Sequence, residues 1–300
     1  MPVPADDEVL IAVHAASINA LDWGLASHPL LRRLMLARSK RKPVGPGRDV
    51  AGVIEAVGKN VKQFRVGDAV LGIERWSFAE YVCAAESTLV KKPERVTFDH
   101  ASCVPLAGLT ALQAVRDAAR LQRGEKVLIN GAAGGVGTLT VQIAKSNGGA
   151  VTAVCSSRNV EMVRSIGAER VIDYTKDDFT KEPYRYDVIF DVAGSRPLLA
   201  CRTLLTGNGR FVMVGGPKNA LRMARRVLSA FVVSRFDKRF RISSTRVRQD
   251  DLAVLAGMMQ EGRLTPVIER TCRLDEIAEA LRYIGEGHAR AKIVIKPREP

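Results

Sequence analysis

The stretch NGAAGGVG, residues 130–137, gathers small residues behind one asparagine, and its surroundings give it chemical meaning. It follows the apolar run KVLIN (126–130) and opens VGTLTVQIAKSNG (136–148), whose apolar residues recur at helical spacing. A strand, a tight small-residue turn and a helix N-terminus in that order make an anion cradle, because the backbone can approach a pyrophosphate and unpaired helix N–H groups point at it. Ala132, Gly134 and Gly137 stand where a dinucleotide fingerprint needs small residues, and Ala133, Gly134, Gly135, Val136 and Gly137 are the expected cofactor contacts. About twenty residues on, after VTAVC (151–155), an NAD site would carry Asp or Glu for the ribose hydroxyl. This chain has Ser156, Ser157 and Arg158 there instead. Two hydroxyls and a guanidinium suit a 2′-phosphate, so NADPH (NADP) is expected over NADH.

A second glycine-rich stretch, GRDVAGVIEAVG (47–58), poses a choice between phosphate cradle, metal site and plain strand. No helical pattern follows it, and Val-Ile-Glu-Ala-Val alternates as a strand does. Arg48 has no lone pair to offer a metal. The four histidines, His14, His28, His100 and His288, form no short-spaced pair with another ligand type. Cys83, Cys103, Cys155, Cys201 and Cys272 are odd in number and widely separated, which suits reduced core thiols rather than bridges or a zinc cluster. No metal is expected, and the stretch reads as scaffold.

The elements that must hold these residues follow from periodicity. Up to about residue 97 short strands and turns dominate: EVLIAVHAASI (8–18), GVIEAVG, DAVLGI and FAEYVCA, with a helical pattern only around 28–38. Next, DHASCVPLAGLTALQAVRDAARL has helical spacing, and then short apolar strands alternate with helices: KVLIN, VTAVC, RVIDY (170–174), DVIFDVA (187–193) and RFVMVGG (210–216). That alternation predicts a parallel doubly wound sheet. We expect a β domain over 1–100, a nucleotide-binding domain over 101–265, and a tail over 266–300 that returns to the first domain.

Composition bounds the rest. The 300 residues are 46% hydrophobic, enough for two packed domains, and no apolar run reaches the roughly 18–20 residues a bilayer span needs. With no signal-like N-terminus, a cytoplasmic location is expected. The net charge of +14 is local. Residues 32–42 hold six basic groups and no acid, and residues 217–248 hold ten against Asp237 alone, which accounts for the whole excess. These stretches lack interleaved stacking aromatics beyond Phe231, Phe236 and Phe240, so no nucleic-acid partner is expected.

Read in order, GRDVAGVIEAVG, FAEY (78–81), AGLTAL (107–112) and NGAAGGVG resemble the medium-chain dehydrogenase/reductase superfamily, and most closely its zinc-independent, quinone-oxidoreductase-like branch. The resemblance implies an α/β protein, a GroES-like β domain joined to a Rossmann doubly wound parallel-sheet domain, with the active site in the cleft between them. In the zinc enzymes of the superfamily the equivalent of Gly47-Arg48-Asp49 carries a histidine ligand, and a cysteine ligand lies on the segment matching ASINALD (16–22); the first has no His here and the second neither Cys nor His. The expected reaction is hydride transfer from NADPH to a quinone or an α,β-unsaturated carbonyl, because such acceptors spread the incoming charge without a Lewis acid. By the same resemblance Asn19 is the expected hydrogen-bond donor and Asp22 its organiser, and Asn19 and Asp22 serving only a turn remains an open alternative. Thr110 is expected at the carboxamide, Val214 and Gly215 beneath the ring, Tyr174 near the adenosine phosphate, and Lys292 as a further contact; Tyr81 reads as core or cleft wall. Several quinone reductases carry a tyrosine two residues past the aspartate, where this chain has Gly24, so solvent is the expected proton source.

Two features depart from the family. Its members begin some twenty residues upstream of the position matching EVLIAVH, so a misplaced start or a truncated product is the expectation. ALRMARRVLSAFVVSRFDKRFRIS (220–243) sets Leu221, Ala224, Val227, Leu228, Phe231 and Val232 on one helical face amid Arg222, Arg225, Arg226 and Arg235. Packing inward, over the substrate cleft or at a subunit contact, is the favoured expectation; weak contact with an anionic membrane surface stays open. A homodimer acting on a small electrophilic substrate is expected. An NADPH-binding sensor or membrane-associated protein with little turnover, and a metal-free alcohol dehydrogenase, are the rival readings.

Overall fold

The computed structural model describes residues 1–27, 46–217, 219–287 and 289–297. The helical pattern at 28–38 and the basic run at 32–42 fall outside the described residues. The chain divides into two compact units, Met1–Leu109 with Val247–Pro300, and Thr110–Arg246.

In chain order the first unit opens with β1 (Glu8–Ile18), α1 (Ala20–Ser27), β2 (Asp49–Val57), β3 (Ala69–Ile73), β4 (Tyr81–Ala85) and β5 (Leu89–Lys91). Then come α2 (Phe98–Ser102) and α3 (Pro105–Gln113). The continuous helical pattern expected from residue 99 onward is broken here: the Thr97 side chain caps α2, and Pro105 starts a new helix, as a residue with no N–H to give suits a first turn. A wide π-helical turn at Ala114–Ala119 ends the run at Arg120, whose φ is +53°.

The second unit continues with β6 (Lys126–Asn130), α4 (Gly135–Ser146), β7 (Ala150–Cys155), α5 (Val160–Ser165), β8 (Arg170–Asp173) and β9 (Tyr186–Asp191). It closes with α6 (Leu198–Arg202), β10 (Leu205–Met213), α7 (Ala220–Phe236) and β11 (Phe240–Ile242). The strands lie parallel in the order β11-β10-β9-β6-β7-β8, which is the doubly wound arrangement with its switch point between β6 and β9. Leu128, Val154, Phe179, Ile189 and Phe211 fill this unit's core.

The chain then returns to the first unit through α8 (Gln249–Gln260), β12 (Ile268–Arg273), α9 (Ile277–Glu286) and β13 (Lys292–Lys296). The first unit therefore gains α8, which the expected boundary at 265 had assigned to the other domain. The reason is local: the Gln249 amide donates to the carbonyls of Glu86 and Leu89, and Leu255 packs against Gly108. The seven-stranded sheet runs β12-β13-β1-β2-β3-β5, with β4 also on β1. β1 sits at its centre, paired with β2, β4 and β13, which explains why EVLIAVHAASI is apolar on nearly every residue rather than alternately. Ile11, Ile54, Ile293 and Ile295 anchor its core.

Candidate functional site

In the second unit the small-residue turn lies as its sequence demands. Gly131 has φ +88°, and the Gly131 and Ala132 N–H groups donate to the Val154 carbonyl, which fixes the turn to the neighbouring strand. A Cβ on Gly137 would stand 2.1 Å from the Gly131 carbonyl oxygen, so only glycine lets α4 seat so closely on the turn. On Gly134, by contrast, a Cβ would meet nothing nearer than 3.6 Å. The first N–H groups of a helix have no partner within it, so Gly135, Val136 and Gly137, behind Ala133 and Gly134, open α4 as an anion seat. The residues fit the pyrophosphate of a dinucleotide.

Ser156, Ser157 and Arg158 follow β7, and Tyr174, exposed, follows β8 with its N–H on the Cys155 carbonyl. The pairing of Cys155 with Asp173 brings these two strand ends together. It also brings in a carboxylate that sequence reading missed: Ser157 Oγ donates to Asp173 at 2.5 Å, and Thr175 donates to Asp173 as well. These hydrogen bonds hold the Asp173 carboxyl below the usual range, keeping it ionised. An anion therefore stands beside Ser157, one of the three groups expected to receive a 2′-phosphate.

At the switch point the strand ends are cross-tied. Asp191, the last residue of β9, accepts from the Asn130 amide at 2.7 Å and from the Gly194 N–H at 3.0 Å, and forms an ion pair with Arg226 of α7. Burial nonetheless raises its carboxyl above the ordinary value, with Arg226 working against the shift. Val214 and Gly215 both donate their N–H to the Asp191 carbonyl, and a Cβ on Gly215 would meet the Val192 carbonyl at 2.5 Å. Thr110 shares a 2.9 Å hydrogen bond with Thr245.

In the first unit Asn19, Asp22 and Lys292 come together, although Lys292 was expected with the cofactor residues. Lys292 is buried, and its ammonium donates to the Ile18 carbonyl (3.2 Å), Asn19 Oδ1 (2.8 Å) and Asp49 Oδ2 (3.2 Å). Asp49 is the hub: it also accepts from Ser17 Oγ at 2.8 Å, Asn19 Nδ2 at 2.9 Å and the Leu106 N–H at 2.8 Å. Ser17 and Asp49 face each other across β1 and β2, and Lys292 opens β13, next to β1, so sheet register builds the cluster. The stretch GRDVAGVIEAVG is thus a strand with one polar anchor, more than scaffold. Sequence signalled Asp49 only as a charge heading a buried run.

Asp22 lies in the first turn of α1 and accepts from the backbone N–H groups of Asn19 (2.8 Å) and Gly47 (3.0 Å). The first bond is half of a capping box. Gly47 has φ +86°, and a Cβ there would collide with Ser77 and Phe78. Complete burial outweighs both hydrogen bonds and pushes the Asp22 carboxyl up to about 6.

Beside this cluster, Arg48 is part-buried with its Nε sealed and unpaired, and burial together with the nearby Arg75 guanidinium lowers its pKa. A guanidinium has no lone pair to give, and the adjacent Asp49 carboxylate is already saturated with donors. These side chains do not fit a zinc ion. Among the described residues no group of three or more His, Cys, Asp or Glu side chains is placed to hold a metal ion.

Two family models match the chain in succession: an alcohol dehydrogenase GroES-like domain over residues 5–94 and a zinc-binding dehydrogenase domain over 166–295. The chain is 33% identical to the quinone-oxidoreductase QR1, chloroplastic, of Triphysaria versicolor, over 99% of this chain and 92% of that one. It is 32% identical to the 2-methylene-furan-3-one reductase of Solanum lycopersicum, over 99% of this chain and 74% of that one. The solved quinone oxidoreductase from Coxiella burnetii is similar with a TM-score of 0.84 and 31% identity, covering 99% of this chain and 93% of that one. The chain belongs to the medium-chain dehydrogenase/reductase superfamily, in its quinone-oxidoreductase-like branch, as an oxidoreductase whose family implies a nicotinamide cofactor.

Proposed function

We propose that this protein is a zinc-independent, NADPH-dependent reductase of quinones or α,β-unsaturated carbonyls. The observation that carries the reading is the replacement of metal-ligand chemistry by Arg48 and a donor-saturated Asp49 at the position where the zinc enzymes of the superfamily hold a ligand. A simple ketone would leave its reduced oxygen as a localised alkoxide, which ordinary dipoles stabilise poorly. A quinone or enone delocalises that charge, so catalysis reduces to placement and a few hydrogen bonds.

The bound cofactor would supply a hydride from its reduced nicotinamide; with one proton from solvent, this converts a quinone to its hydroquinone or an enone to the saturated carbonyl. The chain's own residues hold and orient. The α4 N-terminus receives pyrophosphate, Ser156 and Arg158 favour the 2′-phosphate, and Val214, Gly215 and Thr110 frame the nicotinamide end. In the first unit Lys292 fixes the Asn19 carbonyl oxygen, so that its amide N–H groups can only point the other way. One of them reaches the Ser17 carbonyl at a long 3.4 Å and is the one that can turn to a substrate oxygen.

The test is oxidation of NADPH by purified protein with a panel of quinones, alkenals and simple ketones. Turnover of quinones or alkenals and none of ketones is expected. Turnover of ketones alone would support an alcohol dehydrogenase instead, and tight NADPH binding with no accepted oxidant would support the sensor reading.

A further inference from the structure

Helix α7 packs on the core through Ala230 and Val233 and carries most of its larger apolar residues on the outside. Among the described side chains of the helix Ala230 is the one buried hydrophobic, whereas Leu221, Leu228, Phe231 and Phe236 are 69%, 65%, 60% and 88% exposed. The expectation that this face packs inward is therefore not met within the chain. The helix is not free to roll it under, because Arg226 on the opposite side is held by the Asp191 carboxylate and by the Arg196 carbonyl. Leu221, Leu228 and Val232 lie within a narrow arc of the helix, roughly opposite the buried Ala230.

What surrounds the stripe identifies what it meets. Arg222, Arg225 and Arg235 are exposed on the same helix, Lys238 follows it, none of them is ion-paired among the described residues, and the helix contains no acid. The one acid in the sequence from 217 to 248, Asp237, is neutralised by Arg239 and Arg202, which hold its carboxyl down to about 2. An exposed apolar stripe set among unpaired cations complements an anionic lipid surface, with the rings and leucines entering the acyl boundary and the guanidinium groups at the headgroups. A helix of 17 residues with four arginines is too short and too charged to cross a bilayer, and among the described residues no helix is long and apolar enough to do so.

We propose that α7 docks this protein, lying flat, on anionic membrane surfaces. The proposal is independent of the acceptor and cofactor assignments. It is tested by sedimenting the full chain with vesicles of phosphatidylcholine alone and of phosphatidylcholine mixed with phosphatidylserine. Binding is expected only with the anionic vesicles, weakening as salt rises, since exposed charges are screened. Arg222→Glu with Arg225→Glu should weaken it by well over tenfold, at about fivefold or more per charge removed. Leu228→Asp with Phe231→Asp should abolish it; all four side chains are exposed, so far-UV circular dichroism should be unchanged. Equal binding to both vesicle types, or none to either, would overturn the proposal. So would sedimentation velocity showing that the Leu228/Phe231 variant has lost a self-associated state, since the stripe would then be covered by a second copy.

Discussion

A carboxylate that accepts two backbone N–H groups ordinarily ionises readily, yet burial keeps Asp22 protonated up to about pH 6. Because its folded value is raised above the unfolded one, its contribution favours the fold at low pH and is lost as pH climbs through about 6. Between about pH 4 and pH 7 the protein should lose about 2 kcal/mol from this group alone. Urea midpoints across that range should show the loss in the native protein and not in Asp22→Asn; parallel profiles would contradict it. At the cofactor end, Arg158→Ala should lower kcat/KM for NADPH by roughly tenfold, the worth of one charge-assisted hydrogen bond, while leaving NADH untouched. Asp173→Asn should move NADPH the other way, and steady-state kinetics with both cofactors checks the pair. The expectation for Arg158 rests on its neighbours in sequence, so it could be framed without the structure. That for Asp173 could not, because it reaches Ser157 only through the β7–β8 pairing, sixteen positions away.

Strands β1, β2 and β13 meet at the Lys292–Asp49 pair, which is buried at both ends. Removing one partner strands the other charge in the core, so Lys292→Met should cost about 3–5 kcal/mol. Combining it with Asp49→Asn should recover a good part of that, as thermal or urea unfolding of the single and double variants would show; equal losses in all would mean the pair is not the tie. Elements with a clean local period were readable from sequence: β1 and β6 fall where their apolar runs lie, and α4 begins at the glycine turn. What escaped was long-range. Asp49 and Lys292 are 243 positions apart, and nothing local marks α8 as belonging with β5. The outward turn of α7 was hidden for a related reason, since amphipathicity shows a face and not which way it points.

For the whole molecule, the alternation of strand and helix implied a parallel doubly wound sheet, which the second unit has, while its strand order was not written in the sequence; β12 and β13 of the tail pair into the sheet of the first unit. The charge excess of +14 is likewise not a property of the surface at large, and its described part is concentrated on and after α7. The central claim is that the protein moves two electrons with hydrogen-bond donors in place of a metal. Its most direct test is NADPH:quinone turnover measured on one preparation before and after exhaustive removal of divalent metal, with metal content determined alongside. The account predicts an unchanged rate from metal-free protein; loss of turnover with the metal, and its return when zinc is restored, would contradict it.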